Sequence, residues 1–180
     1  LPTFMLAARK LQQKYPSLIV YVPSCRKVFD EKFRKAFRKY QVKGKVISQK
    51  DNARLKPYIY SLTKIALCKS GTVNMELALH GIPQIVGYKV SRVTAFIAKR
   101  ILNFKVKFIS PVNLLVNKLI IPEFVQRDFD AKKIFYKSCK LIETKSEKIK
   151  INKGYALLKK ELGEEGVVQR AAEEIINSII

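Results

Sequence analysis

The sequence predicts an α/β fold, a parallel sheet with helices on both faces. Three observations predict it. Short strand-like runs (Leu18 to Val22, Lys45 to Ser48, Ile65 to Leu67, Gln84 to Val86) alternate with stretches of helical period. Lys64 to Tyr88 reads as strand, loop, helix, turn, strand, the unit from which parallel sheets are built. Finally, 48% hydrophobic and 10% aromatic residues in a chain of 180 are enough to bury a core.

Taken in order, Thr3 to Tyr15 sets Phe4, Leu6, Ala7, Ala8 and Leu11 among Arg9, Lys10 and Lys14, an amphipathic helix that Pro16 ends. Leu18 to Val22 is a buried-type strand closed by Pro23. Arg26 to Tyr40 spaces Val28, Phe29, Phe33, Ala36, Phe37 and Tyr40 at helical intervals, with cations on the other face. Those aromatics share one face, which favours core packing over base stacking. A short strand follows Gly44, and Asp51 to Ser61 reads as a short helix or helical turn containing Pro57. Ile65 to Leu67 is the central strand, Val73 to His80 the next helix, and Gly81 with Pro83 supply its stop. Beyond Tyr88, Val93, Phe96, Ile97 and Ile101 share a helical face, with Arg92, Lys99 and Arg100 available to the other. Such a helix can lie on an anionic bilayer or pack on its own sheet. Phe104 to Ile109 alternates strictly and reads as an edge strand with lysines outward. Pro111 to Asn117 is a loop or short helix. Ala131 to Ile142 and Tyr155 to Ile180 read as helices separated by the charged Glu143 to Lys153 segment. Residues 123–180 are thus a helical extension of the lobe that residues 1–122 form. The sequence opens at Leu1-Pro2, directly in a helical pattern and without Met, and reads as a piece cut from a longer protein.

The net charge of +22 sits mostly in one part of the chain. Residues 1–122 hold 24 Lys and Arg against four acids, a net of +20, whereas residues 123–180 hold 12 against ten. A field of that sign gathers anionic partners: nucleotide diphosphates, phosphorylated lipids, anionic membranes or nucleic acid. A lysine-rich solvated face with no partner would look the same. Cys25, Cys68 and Cys139 lie far apart without a CxxC pair, which argues against zinc and against a disulfide framework and favours a reducing compartment. No apolar run approaches the ~20 residues that span a bilayer.

The candidate site lies where Ser70-Gly71-Thr72 leads from the central strand into the next helix. In parallel sheets, ligands bind outside the carboxyl ends of the strands. A helix start offers unpaired N–H groups and the positive pole of the dipole to an anionic group such as a phosphate. Glu76, one turn further in, is within reach of a sugar hydroxyl beside it. The same residues serve in many proteins as an ordinary cap and a dipole-matched carboxylate. Neither GxGxxG nor GxxxxGK[ST] occurs, so dehydrogenase and P-loop readings have no basis. His80, the only histidine, belongs to the last helical turn, with no facing partner to make it a general base.

Ser70-Gly71-Thr72-x-x-x-Glu76-Leu77-Ala78-Leu79, then Gly81-x-Pro83 and Val86-Gly87-Tyr88-Lys89-Val90-Ser91, resemble lipid-A-disaccharide synthase. Asn113-Leu114-Leu115 and Pro122-Glu123-Phe124-Val125-Gln126 do too, and the similarity runs from Leu1 to about Asp130. That family belongs to the two-lobed, GT-B type, nucleotide-sugar-dependent glycosyltransferases. The resemblance implies a Rossmann-like, C-terminal donor-binding lobe. It also implies transfer of diacylglucosamine from a UDP carrier to diacylglucosamine 1-phosphate, with inversion, release of UDP and no cofactor or metal. Ser70, Gly71 and Thr72 would hold the diphosphate and Glu76 the ribose. Asn113 would face the sugar or diphosphate, and Gln126 completes the matched set. The implied partners are the UDP-linked acylated glucosamine, the acylated glucosamine 1-phosphate, an anionic membrane surface on its cytoplasmic side (or the equivalent organelle compartment), a missing N-terminal lobe carrying the general base, and a second copy in a homodimer. Lys69 departs from the small residue usual before Ser-Gly-Thr and reads either as an added phosphate contact or as simply exposed. Two other classes stay open: a different UDP-sugar glycosyltransferase or epimerase lobe, and a basic nucleic-acid-binding module, although RNP, KH and zinc-finger signatures are absent.

Overall fold

The computed structural model describes residues 1–89, 107–163 and 166–178. Helix α1 (Pro2–Lys14) starts on a proline, whose missing N–H costs nothing in a first turn. Strands β1 (Val20–Pro23) and β2 (Gly44–Ile47) pair in parallel, Val20 opposite Gly44, with α2 (Lys27–Tyr40) between them in sequence. A Cβ on Gly44 would lie 2.6 Å from the Phe37 ring and 2.7 Å from the Val20 carbonyl oxygen, so only glycine lets α2 approach β2 so closely. Helix α3 (Gln49–Leu62) follows, then β3 (Ala66–Cys68), α4 (Val73–Leu79) and β4 (Gln84–Tyr88). After residue 107 come α5 (Pro111–Val116), β5 (Glu123–Val125), a 3-10 turn (Gln126–Asp128), and helices α6 (Ala131–Glu143), α7 (Lys145–Leu162) and α8 (Val167–Asn177).

Among the described residues the strands form two parallel sheets, β1-β2 and β3-β4-β5. Strand β4 is buried on both faces, as Ile85 and Val86 are fully enclosed. Its side chains alternate. Gln84 turns toward α4 and α7, where it bonds Asn74 and Tyr155, and Gly87 turns toward Phe4 of α1 and Phe129. The main core joins Ala7, Ala78, Ile85, Val86, Val112, Ile121, Ile134, Leu141 and Leu158, so residues on both sides of position 122 share it. A second core packs Met5 and Ala8 of α1 on Ala36, Phe37 and Val42. Helix α1 therefore belongs to both. Its far end is tied to α6, where Glu143 accepts from Tyr15 Oη at 2.6 Å and from Lys14 Nζ at 2.7 Å.

Several expectations are corrected. The expected parallel, helix-flanked architecture stands, except that among the described residues the backbone pairing is divided between two sheets, because period identifies strands but not their neighbours. Helix α3 is fourteen residues long and runs through Pro57, which sits on its exposed side. The charged segment from Glu143 to Lys153 is no separator, since α7 begins at Lys145. Ile151, Tyr155 and Leu158 bury one stripe of that helix while its charges face water, and Glu147 pairs with Lys137 of α6 at 2.7 Å. The helix expected from Tyr155 to Ile180 is interrupted at Gly163 (φ 73°) and Gly166 (φ 91°), conformations that favour glycine. Residues 107–109, expected to end an edge strand, pair with no strand among the described residues. The rest of that stretch, and the amphipathic stretch carrying Val93, Phe96, Ile97 and Ile101, lie outside the described residues.

Candidate functional site

Because β3, β4 and β5 are parallel, their carboxyl ends at Cys68, Tyr88 and Val125 share one edge. The loop Lys69 to Thr72 leaves that edge from β3, and Gln126 leaves it from β5. Ser70 is half-buried, and its hydroxyl donates to the Ile109 carbonyl. Gly71 donates its N–H to Asn74 Oδ1 at 2.9 Å, and a Cβ placed on it would meet no atom within 4 Å. Thr72 is exposed at the N-cap of α4 and its side chain caps nothing. The backbone N–H groups of Thr72 and Val73 have no acceptor among the described residues. Among the described residues the loop thus presents unpaired backbone donors beside a glycine surface that no atom fills, which suits close approach of an anionic group.

Glu76, one turn into α4, forms an ion pair with Lys56 of α3. Burial works against the Lys56 ammonium, but its hydrogen bond to Glu76 together with its interactions with Tyr60 and the Glu76 charge outweigh burial and raise its pKa. Tyr60 lies beside them, its phenol pushed up first by burial and then by the Glu76 charge. Lys56 lies 5.5 Å from the Tyr60 ring centroid, and His80 meets the same ring edge-on at 5.1 Å. His80 is the C-cap of α4, at the end remote from the loop. Lys69 is exposed, with its ammonium 5.7 Å from the Tyr88 ring centroid.

Asn113 does not face the open edge. It is fully buried, and all four hydrogen-bonding positions of its amide are taken. Its Oδ1 accepts from Ile120 N (2.8 Å) and Ile121 N (3.0 Å), and its Nδ2 donates to the Ile121 carbonyl (2.8 Å) and to Glu123 (2.7 Å). Glu123 in turn accepts from the N–H groups of Ile109 (2.7 Å) and Ser110 (2.9 Å). The Ser70, Asn113 and Glu123 segments therefore meet at residues 109–110, Asn113 and Glu123 fastening the strip of chain against which Ser70 bonds. Gln126 is half-buried with φ 53°, a left-handed conformation uncommon outside glycine, at the carboxyl end of β5.

Sequence reasoning missed Lys56, Asn74, Gln84, Glu123 and Tyr155. A signal existed for two of them. Gln84 opens an otherwise apolar strand and Asn74 sits within a short apolar helix; a polar side chain at a core position requires a partner.

The parallel strands, the flanking helices and the loop at the carboxyl edge define a Rossmann-like lobe, consistent with half of a two-lobed glycosyltransferase. The family model described as lipid-A-disaccharide synthetase matches residues 1–179, and the chain belongs to that family. It is 43% identical over 177 residues to a lipid-A-disaccharide synthase of Prochlorococcus marinus (strain MIT 9313), covering 98% of this chain and 45% of that protein. A lipid-A-disaccharide synthase of Gloeothece citriformis (strain PCC 7424) is 34% identical over 179 residues, covering 99% of this chain and 45% of that protein. One from Synechocystis (strain ATCC 27184 / PCC 6803 / Kazusa) is 31% identical over 176 residues, 98% of this chain and 44% of that protein. The chain thus spans less than half the length of these relatives.

Proposed function

We propose that this chain is the donor-binding lobe of a lipid-A-disaccharide synthase. The enzyme moves diacylglucosamine from UDP to 2,3-diacylglucosamine 1-phosphate with inversion and releases UDP. The observation that carries this reading is the family match along residues 1–179, which includes every motif on the carboxyl edge. In this reading the open N–H groups of Thr72 and Val73 receive the diphosphate and stabilise its charge as UDP departs. Glu76 holds the ribose hydroxyls, and Lys56, already paired with it, fixes the carboxylate. Gln126 borders the sugar from β5. Asn113 acts from beneath, through residues 109–110, rather than by touching the ligand. The general base belongs to an N-terminal lobe, and residues 1–122 and 123–180 form one nucleotide-binding lobe with its helical extension. A homodimer remains part of the proposal on the resemblance alone.

Glu76→Ala in the full-length protein is expected to weaken UDP binding by roughly 1.5–3 kcal/mol, the range for a hydrogen bond to a charged group. UDP should bind better than ADP and far better than UMP at moderate salt, where a screening length of ~8 Å already weakens diffuse attraction. The excess of cations in residues 1–122 supports a second reading, a polyanion binder, and the same titration separates the two. Calorimetry giving equal affinities for UDP and UMP, or no effect of Glu76→Ala in a folded protein, overturns the nucleotide-sugar reading.

The acylated substrates place the enzyme at the cytoplasmic face of a membrane or its organelle equivalent. No helix among the described residues is long and apolar enough to cross one. Association through the positive field should let anionic vesicles sediment the protein at low salt and release it in molar salt. Binding that persists in molar salt would instead establish hydrophobic insertion.

A further inference from the structure

A closed polar network lies directly beneath the Ser70–Thr72 loop. Asn74 and Gln84 are both fully buried, and Tyr155 of α7 nearly so. Asn74 Nδ2 lies 3.0 Å from Gln84 Oε1, 3.1 Å from Cys68 Sγ and 3.2 Å from the Lys69 carbonyl, while its Oδ1 accepts from Gly71 N. The Asn74 side chain thus grips the loop on both sides of Ser70, reaching back to an N–H three residues earlier as the third residue of a capping box does. Gln84 Nε2 donates to the Asn74 carbonyl (2.9 Å) and to Tyr155 Oη (3.1 Å), and Tyr155 donates to the Ile82 carbonyl (2.8 Å).

The direction of donation is fixed throughout. Tyr155 has one O–H, and Ile82 takes it, so the phenol can only accept from Gln84. That turns the Gln84 oxygen toward Asn74, which must then present its NH2 to Gln84 and its oxygen to Gly71. Burial raises the Tyr155 phenol and pushes the Cys68 thiol up to about 12, so both stay protonated and the pattern holds across ordinary pH. Stability alone does not call for such a network, because apolar residues of the same shape can fill the space at little cost. What an apolar filler cannot supply is orientation.

We infer that Asn74, Gln84 and Tyr155 form a positioning relay that sets the Ser70–Gly71–Thr72 loop, with α7 as its outer anchor. The inference rests on reading that loop as the seat of the diphosphate. None of the three touches the ligand; they fix the Lys69 carbonyl and the Gly71 amide, and so the aim of the Thr72 and Val73 donors.

The test compares Asn74→Ala, Gln84→Met, their double variant and Tyr155→Phe in the full-length protein. The readouts are melting temperature, ligand-free hydrogen exchange over residues 69–73, and calorimetric UDP affinity. Asn74→Ala should speed exchange at Gly71 at least about tenfold and weaken UDP about tenfold, the loss of one or two hydrogen bonds. Tyr155→Phe, 71 residues from Gln84 in sequence, should move both readouts in the same direction. The double variant removes both partners, so its melting temperature should exceed that of Asn74→Ala, while exchange and UDP affinity stay impaired. A merely structural network would recover all three together, and that recovery overturns the relay. Unchanged exchange in folded Asn74→Ala overturns it as well. Faster exchange in the variants of a protein that never binds UDP upholds the relay and removes only the diphosphate reading.

Discussion

Asn113→Ala is expected to destabilise the protein by about 3–5 kcal/mol, the upper part of the range for point substitutions. The alanine leaves Ile121 N and the Ile121 carbonyl without the partner they have in the native fold, and leaves Ile120 N with the Lys118 carbonyl alone, 3.0 Å away. Each buried group left unsatisfied costs roughly 1–3 kcal/mol, and partial entry of water keeps the sum below the simple total. The loss also spreads, because Glu123 gives up one of its three donors while holding the N–H groups of Ile109 and Ser110. Asn113→Asp is the sharper variant. It keeps an oxygen toward Ile120 and Ile121 but turns a second carboxylate oxygen on Glu123, so it should be no more stable than the alanine at neutral pH. Urea denaturation of the two variants checks this. A loss below about 1 kcal/mol together with much weaker UDP binding would return Asn113 to the role of a direct ligand contact.

Gly87→Ala should cost about 3 kcal/mol, at the top of the usual range for overpacking. A Cβ on Gly87 would sit 2.1 Å from Phe129 Cε2 and 2.7 Å from Phe4 Cζ. Those two rings meet edge-on with centroids 5.0 Å apart, so neither can withdraw without opening the contact between α1 and the turn after β5. Phe129→Leu in the Gly87→Ala background should regain part of the loss, because a smaller side chain faces the new methyl. Equal urea midpoints for wild type and Gly87→Ala would show that the rings do not seat on this glycine.

The sequence made the centre of the fold legible because local rules there agree: β3, α4 and β4 are marked by an apolar run, a capping turn, a helical period and a Gly-Pro stop. Strand β5 was not legible. It has three residues behind a proline, too few for a period to emerge. The Glu143 to Lys153 segment misleads for another reason: its helix is driven by a narrow stripe through Ile151 and Tyr155, with charges filling the remainder. At the site, sequence pattern put Ser70 to Thr72 and Glu76 on the strand-to-helix turn, but the burial of the Asn113 amide was not legible. A polar residue in a recognised motif reads as a ligand group, and only coordinates reveal that the Ile120–Ile121 backbone and Glu123 consume its hydrogen bonds. Gln84 and Tyr155 face a similar limit, since their pairing spans 71 residues that no local pattern connects.

The place of α1 in both cores has a consequence for how the chain is made. Its outer wall is α6, and the Tyr15–Glu143 bond joins residues 128 apart. At about 5–20 residues per second, synthesis needs roughly 6–25 s to cover that distance. Through that interval Phe4 has no Phe129 to meet, and the side of α1 destined for α6 stays bare. The side of α1 that packs on Ala36, Phe37 and Val42 can thus be enclosed well before the side that faces α6.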